Sequence, residues 1–188
     1  MHLGEKLDPD LIHKEEYKGS PILSILLDNI FNLKIWLGSI TGNLNILTFS
    51  EKILFLIWWM FFLSCLLALS NIIGVIIFLC IWIGAKSTSF HIITTIRELS
   101  DHVGLSINNI LSFTRNGPND SILKWIIYPH SNNWHLVHHL APYIPHYNLK
   151  KAHEILKNSS EYLNCHHCDG VFFGAHPLVK CLNATCSN

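Results

Sequence analysis

From Ile53 to Ile83 the chain runs through 31 positions, ILFLIWWMFFLSCLLALSNIIGVIIFLCIWI, without one charged side chain. A bilayer core takes about 20 helical residues, so this run is too long for one upright span. It carries a polar interruption, Ser70-Asn71, followed by Gly74. The pattern predicts two short helices, 53–69 and 72–85, joined by a tight turn; a single long tilted helix is the rival parse. Lys52 precedes the run, Lys86 and Arg97 follow it, and the turn is uncharged. Basic residues on both flanks favour an even number of crossings, with both ends of the chain cytoplasmic. A multi-pass integral membrane protein is the expectation.

Upstream, Pro21–Phe49 is mixed. Ile22, Leu26, Ile30, Leu33 and Leu37 recur at helical spacing with Asp28, Asn32 and Lys34 between them. This suits a helix lying in the membrane interface with Trp36 at headgroup depth, and equally a helix packed on a cytoplasmic domain. Gly38, Thr41-Gly42-Asn43 and Asn45 then break the pattern. Downstream come SFHIITTIRELSDHVGL, a loop (TRNGPNDS), and KWIIYPHSNNWHLVHHLAPYIPHYNLKKAHEIL. The expected fold class is therefore all-α: an integral membrane protein with one transmembrane helical hairpin plus a cytoplasmic, histidine-rich helical domain. Its parts are a leading segment (1–50), the hairpin (51–86), the histidine-rich helices (87–174) and a cysteine-containing tail (175–188).

Composition sharpens the picture. Apolar residues make up 49% of the chain, charged ones 14%, and mean hydropathy is +0.31. So much apolar surface excludes a disordered chain. Thirteen basic residues balance thirteen acidic ones, so no net positive field exists to hold nucleic acid. Histidine is the outlier at 13, nine of them between His130 and His176.

Within HLVHH, His135, His138 and His139 fall inside an arc of about 100° on a helix. Three imidazoles on one face can point at one metal ion or at a pair, and spacing alone does not choose the metal. A soft cluster of exposed histidines is the plainer alternative. His146 and His153 are expected to hydrogen-bond, His130 to sit at a turn and His91 near the membrane interface. Asn132 and Asn133 could support a ligand imidazole or cap a helix. Cys165-x2-Cys168 and Cys181-x4-Cys186 look superficially like a zinc ribbon, but the second spacing is loose and free thiols are the expectation.

The stretch NWHLVHHLAPYIPHYNLKKAHEIL, 133–156, resembles the third histidine box of membrane fatty acid desaturases: HxxHH, then L-x-P-x-x-P, then a Leu-x-x-x-His helix start. HLGEKLDPDL resembles the segment directly after that family's second box. Arg97-Glu98-Leu99-Ser100-Asp101-His102, followed by Val103-Gly104, resembles the stretch around its lone additional histidine. CHHCDG-VFFG resembles its C-terminal sequence. These pieces stand in the family's order around the apolar run and cover most of residues 2–174.

The resemblance implies a non-haem di-iron centre on the cytoplasmic face. His135, His138 and His139 match third-box ligands, His102 the lone ligand and His2 the last histidine of box two. Asp101, Asn132 and Asn133 are the candidate supports behind them. The implied reaction is dioxygen-dependent removal of hydrogens from an acyl chain. The implied partners are a membrane lipid or other acyl substrate and a ferredoxin or cytochrome b5-type electron donor. The family's first box lies upstream of the matched pieces. The chain is thus expected to be the C-terminal part of a desaturase, inactive alone. A related di-iron hydroxylase or ketolase is the alternative enzyme, and a membrane metal-binding or degenerate protein the non-enzymatic one.

Overall fold

The structure, a computed structural model, describes residues 21–42, 44, 47–105, 109–119 and 122–183. The chain divides into two compact units: the described residues up to Leu27 and from Ile93 onward form one, Asp28–Ile92 the other. Helices α1 (Ile22–Ile30), α2 (Leu33–Thr41), α3 (Phe49–Leu69) and α4 (Ile72–Ala85) come first, followed by a π-helical turn (Lys86–Phe90) and α5 (His91–His102). Then come the short helices α6 (Ile110–Phe113), α7 (Lys124–Ile127), α8 (His135–Leu140), α9 (Leu149–Leu156), α10 (Ser160–Leu163) and α11 (Leu178–Asn183). Among the described residues there is no strand, only isolated bridges pairing Asn116 with His167 and Gly170 with Pro177.

In the Asp28–Ile92 unit, side chains at the helix ends explain where the apolar run divides. A capping box opens α3: the Thr48 hydroxyl accepts from the Glu51 amide at 3.4 Å, and a Glu51 carboxylate oxygen accepts from the Thr48 amide at 2.7 Å. It starts the helix at Phe49, four residues ahead of the apolar run. At the other end the Ser70 hydroxyl donates to the Leu66 carbonyl at 2.7 Å. Asn71 Oδ1 then accepts from the Gly74 amide at 3.0 Å and opens α4. The polar pair thus supplies the bonds that end one helix and begin the next. Trp59 meets Trp82 at 5.8 Å and Phe62 meets Phe78 at 5.2 Å between ring centroids. As one helix advances the other recedes, so α3 and α4 run antiparallel.

No residue of α3 is buried, and Val75 alone is buried in α4. A helix that is apolar all round and exposed is matched to lipid rather than to water. Two helical stretches, Phe49–Leu69 and the one beginning at Ile72, are long and apolar enough to cross a membrane. A third arises if α1 and α2 count as one bent span.

Two sequence expectations change. The helix expected from the spacing of Ile22 through Leu37 is broken, with α1 and α2 meeting at 59°. The Asn32 side chain accepts from the Lys34 and Ile35 amides at 3.0 and 3.3 Å, so it caps a new helix instead of continuing the old one. Gly42 closes α2 with φ +66°, donating its amide to the Gly38 carbonyl. Trp36 donates its indole N–H to the Ser87 carbonyl at 3.0 Å. The second change is at Ala85, where the helical turns do not stop but continue through the π-turn to His102.

In the other unit most helices span only four to eight residues. Helices that short are not stable alone, so tertiary burial must hold them. One core gathers Trp134, Leu136 and Val137 with Leu149 and Ala152 of α9 and Tyr162 of α10. A second packs Ile25 of α1 on Leu99 and Val103. These two cores seat the last turn of α5 and the whole of α8.

Candidate metal centre

His102 closes α5, while His135 and His139 stand one turn apart on α8. Their Nε2 atoms converge: His135 to His102 at 3.0 Å, His139 to His135 at 3.0 Å. One ring nitrogen from each of the three lies within 4.8 Å of the others. His102 and His139 are buried and His135 is nearly so.

Proton placement tests whether a cation fits. His102 Nδ1 lies 3.2 Å from the Phe113 carbonyl oxygen, which can only accept, so the proton sits on Nδ1 and Nε2 presents a lone pair. His135 Nε2 faces that lone pair and His139 Nε2 together, and in the neutral ring it has at most one proton for both. If His139 donates to His135, two lone pairs face each other across the remaining 3.0 Å contact. A cation among the three nitrogens satisfies every lone pair. Ligand nitrogens about 2.1 Å from one ion and at right angles to each other stand about 3.0 Å apart, which is the observed spacing. The residues therefore fit a metal ion. Burial, and then the neighbouring His102 and His139, hold the His135 imidazole well below its ordinary pKa, in the neutral form a metal requires.

The surroundings fix these rings. Asp101 is fully buried with Oδ2 3.9 Å from His135 Nδ1, beyond hydrogen-bond reach but close enough for its charge to act on the imidazole. Its carbonyl accepts from the Arg115 amide and the Thr114 hydroxyl, both at 3.2 Å, which ties the end of α5 to the segment after α6. The Arg115 guanidinium reaches the Val103 carbonyl. Asn133 is fully buried; its carbonyl accepts from the Gly117 amide at 2.7 Å, and its side-chain amide has no hydrogen-bond partner among the described residues.

Of the ligand candidates, the structure brings together His102, His135 and His139. His138 stands apart, its ring centroid 6.1 Å from that of His135 and 5.9 Å from that of His139. It lines a cavity of about 520 Å³ with Arg97, His130, Asn132 and His146. His130 takes a left-handed backbone (φ 57°) there, and its ring lies 5.5 Å from that of His146. Asn132 thus faces this cavity rather than the three converging nitrogens. His2 and Cys186 lie outside the described residues. Cys165, Cys168 and Cys181 form no disulfide and join no converging ligand group among the described residues.

Arg115 and Asn116 belong to the segment TRNGPNDS, whose composition predicts no more than a loop. Both are buried, and Asn116 bonds to five other residues through its side chain and main chain: Leu136, Tyr162, His166, His167 and Cys168. Only a polar triplet, Thr114-Arg115-Asn116, following an apolar turn hinted at this, and loops share that composition.

The family model described as fatty acid desaturase matches residues 2–169. No curated protein and no solved structure matches the chain. The matched span holds α5, α8 and all three converging histidines, and takes in well over half of the sequence. The protein belongs to the fatty acid desaturase family.

Proposed function

We propose that this chain carries part of a di-iron centre that removes hydrogens from an acyl chain. His102, His135 and His139 hold one ion, and His138 is turned toward a second. The observation that carries the reading is the convergence of three histidine Nε2 atoms, those of His102 and His139 each 3.0 Å from that of His135, in a member of this family. When bound, iron supplies activation of dioxygen toward an unactivated methylene. The chain's own residues do the rest. The Phe113 carbonyl favours the tautomer that puts the lone pair on His102 Nε2, the atom that faces His135. The Asp101 carboxylate lies behind His135 and favours a cation on the far side of that ring. Burial of His102 and His139 keeps water from the bound ion.

Electrons come from a ferredoxin or cytochrome b5-type donor, and the substrate is a membrane lipid or other acyl chain. The antiparallel pair α3 and α4 crosses the bilayer as a hairpin, with both ends of the chain cytoplasmic. A related hydroxylase or ketolase shares the first hydrogen abstraction and differs in how the substrate radical is placed.

The test is to express the chain with an electron donor and with a desaturase N-terminal part that supplies the first histidine box, and to analyse lipids by mass spectrometry, with metal content measured on the purified protein. Loss of two hydrogens, abolished by His102→Ala, supports desaturation; gain of one oxygen moves the assignment to hydroxylation. Stoichiometric zinc with no iron and no altered lipid sinks both enzyme readings.

A further inference from the structure

Both neighbours of His135 are held by one buried network. On one side, the Leu136 amide donates to Asn116 Oδ1 at 3.1 Å. Helix α8 has no side-chain cap of its own, so Asn116, twenty residues upstream, takes up one of its orphan N-terminal amides. Asn116 Nδ2 donates to the Tyr162 hydroxyl at 2.7 Å and lies 3.1 Å from His167 Nδ1. Tyr162 in turn lies 2.6 Å from His153 Nδ1. With its oxygen already accepting from Asn116, the phenol gives its one proton to His153 Nδ1. On the other side of His135, the His153 ring stacks on Trp134, centroids 4.0 Å apart and planes 27° from parallel. The chain from Asn116 through Tyr162 and His153 therefore closes on Trp134 and Leu136, the residues that flank His135.

A fully satisfied buried network of this kind is rigid. It fixes where helix α8 begins, and so where His135 Nε2 points. An α8 of six residues has no stiffness of its own to do this.

We propose that Asn116, Tyr162 and His153 are positioning residues for His135, aligning its Nε2 with those of His102 and His139. This rests on the metal reading given above. Tyr162→Phe keeps the ring in the core and removes only the hydroxyl that joins Asn116 to His153. Asn116→Asp keeps an acceptor for the Leu136 amide and removes the donor to Tyr162. Val75→Ala, at the buried position of α4 and in neither of the two cores, serves as the control for stability alone.

The experiment titrates the full chain in detergent with Co²⁺ and follows the visible ligand-field bands, alongside the melting temperature of the metal-free protein. Both network variants are expected to bind Co²⁺ about 10- to 100-fold more weakly, with shifted bands at saturation. Val75→Ala is expected to lower the melting temperature while leaving affinity and bands unchanged. Network variants that bind with wild-type affinity and bands overturn the positioning role. So does a Val75→Ala protein that loses as much affinity as they do. A wild-type chain that takes up no Co²⁺ overturns the metal reading, and the positioning role falls with it.

Discussion

Gly117 packs closely against Tyr128 in the segment that joins α6 to α7, and adding a single methyl there should be costly. A Cβ at this position would stand 2.8 Å from Tyr128 Cζ and 3.0 Å from its hydroxyl. Carbon atoms in contact prefer about 3.5–4.0 Å, so one side must yield by about 0.7–1 Å. Neither yields easily. Tyr128 is 1% exposed, and its hydroxyl, 2.6 Å from Ser100 Oγ, donates to that atom because Ser100 spends its own proton on the Arg97 carbonyl. The Gly117 amide is held to the Asn133 carbonyl at 2.7 Å. Overpacking a core costs about 1–3 kcal/mol, and loss of the Tyr128–Ser100 bond adds about 1 kcal/mol. For Gly117→Ala we expect a loss of about 2–4 kcal/mol, a drop of roughly 5–15 °C in melting temperature for a chain of this size. The assay is thermal unfolding of the purified chain in detergent, with Gly84→Ala in parallel. Nothing lies within 4 Å of a Cβ at Gly84, in α4, so that change should be neutral or slightly stabilising. If Gly117→Ala melts with the wild type, or if Gly84→Ala falls as far, the packing argument is wrong.

Other expectations follow from the same contacts. Burial, and then the nearby Lys157 charge, lower the His153 pKa to about 4, whereas an unfolded histidine titrates near 6.5. Between those values the unfolded chain binds the extra proton, so stability is lost as pH falls through that window, by at most ~1.4 kcal/mol per pH unit from this group. Melting curves from pH 7 to pH 4 should show the decline, and His153→Phe should make it shallower, with buried His135 still contributing in the same direction. In metal titrations, His102→Ala and His135→Ala should lose the ion held by the three nitrogens, while His138→Ala keeps it; equal loss in all three variants contradicts the geometry. Ser100→Ala should cost about 1–3 kcal/mol because it strands the buried Tyr128 hydroxyl. Tyr128→Phe removes that hydroxyl and should cost less, which the same melts would resolve.

Much of the architecture was legible from local chemistry. The 31-residue uncharged run showed where a membrane could take up the chain, and Ser70-Asn71 marked its division, because short polar side chains satisfy helix ends. Asn32 carries the same kind of signal, yet it went unread: the i, i+4 recurrence of Ile22, Leu26 and Ile30 runs straight on to Leu33 and Leu37, and periodicity does not register a 59° bend. The histidines divide in the same way. HLVHH announced a ligand cluster, since one arc of a helix gathers positions 135, 138 and 139 regardless of what surrounds it.

The sequence by itself determined which residues could bind a metal, how they are spaced along their helices and which family the chain resembles. These properties depend on helical periodicity and side-chain chemistry, and both are local. The resemblance named His102 beside them, but only the tertiary structure brought its ring nitrogen together with those of His135 and His139 while His138 lines a separate cavity. It also decided that Asn116, Tyr162 and His153 stand behind the centre. Those pairings join residues far apart in the chain, and whether a buried polar group finds its partner depends on how the short helices pack. No pattern along one helix can encode that.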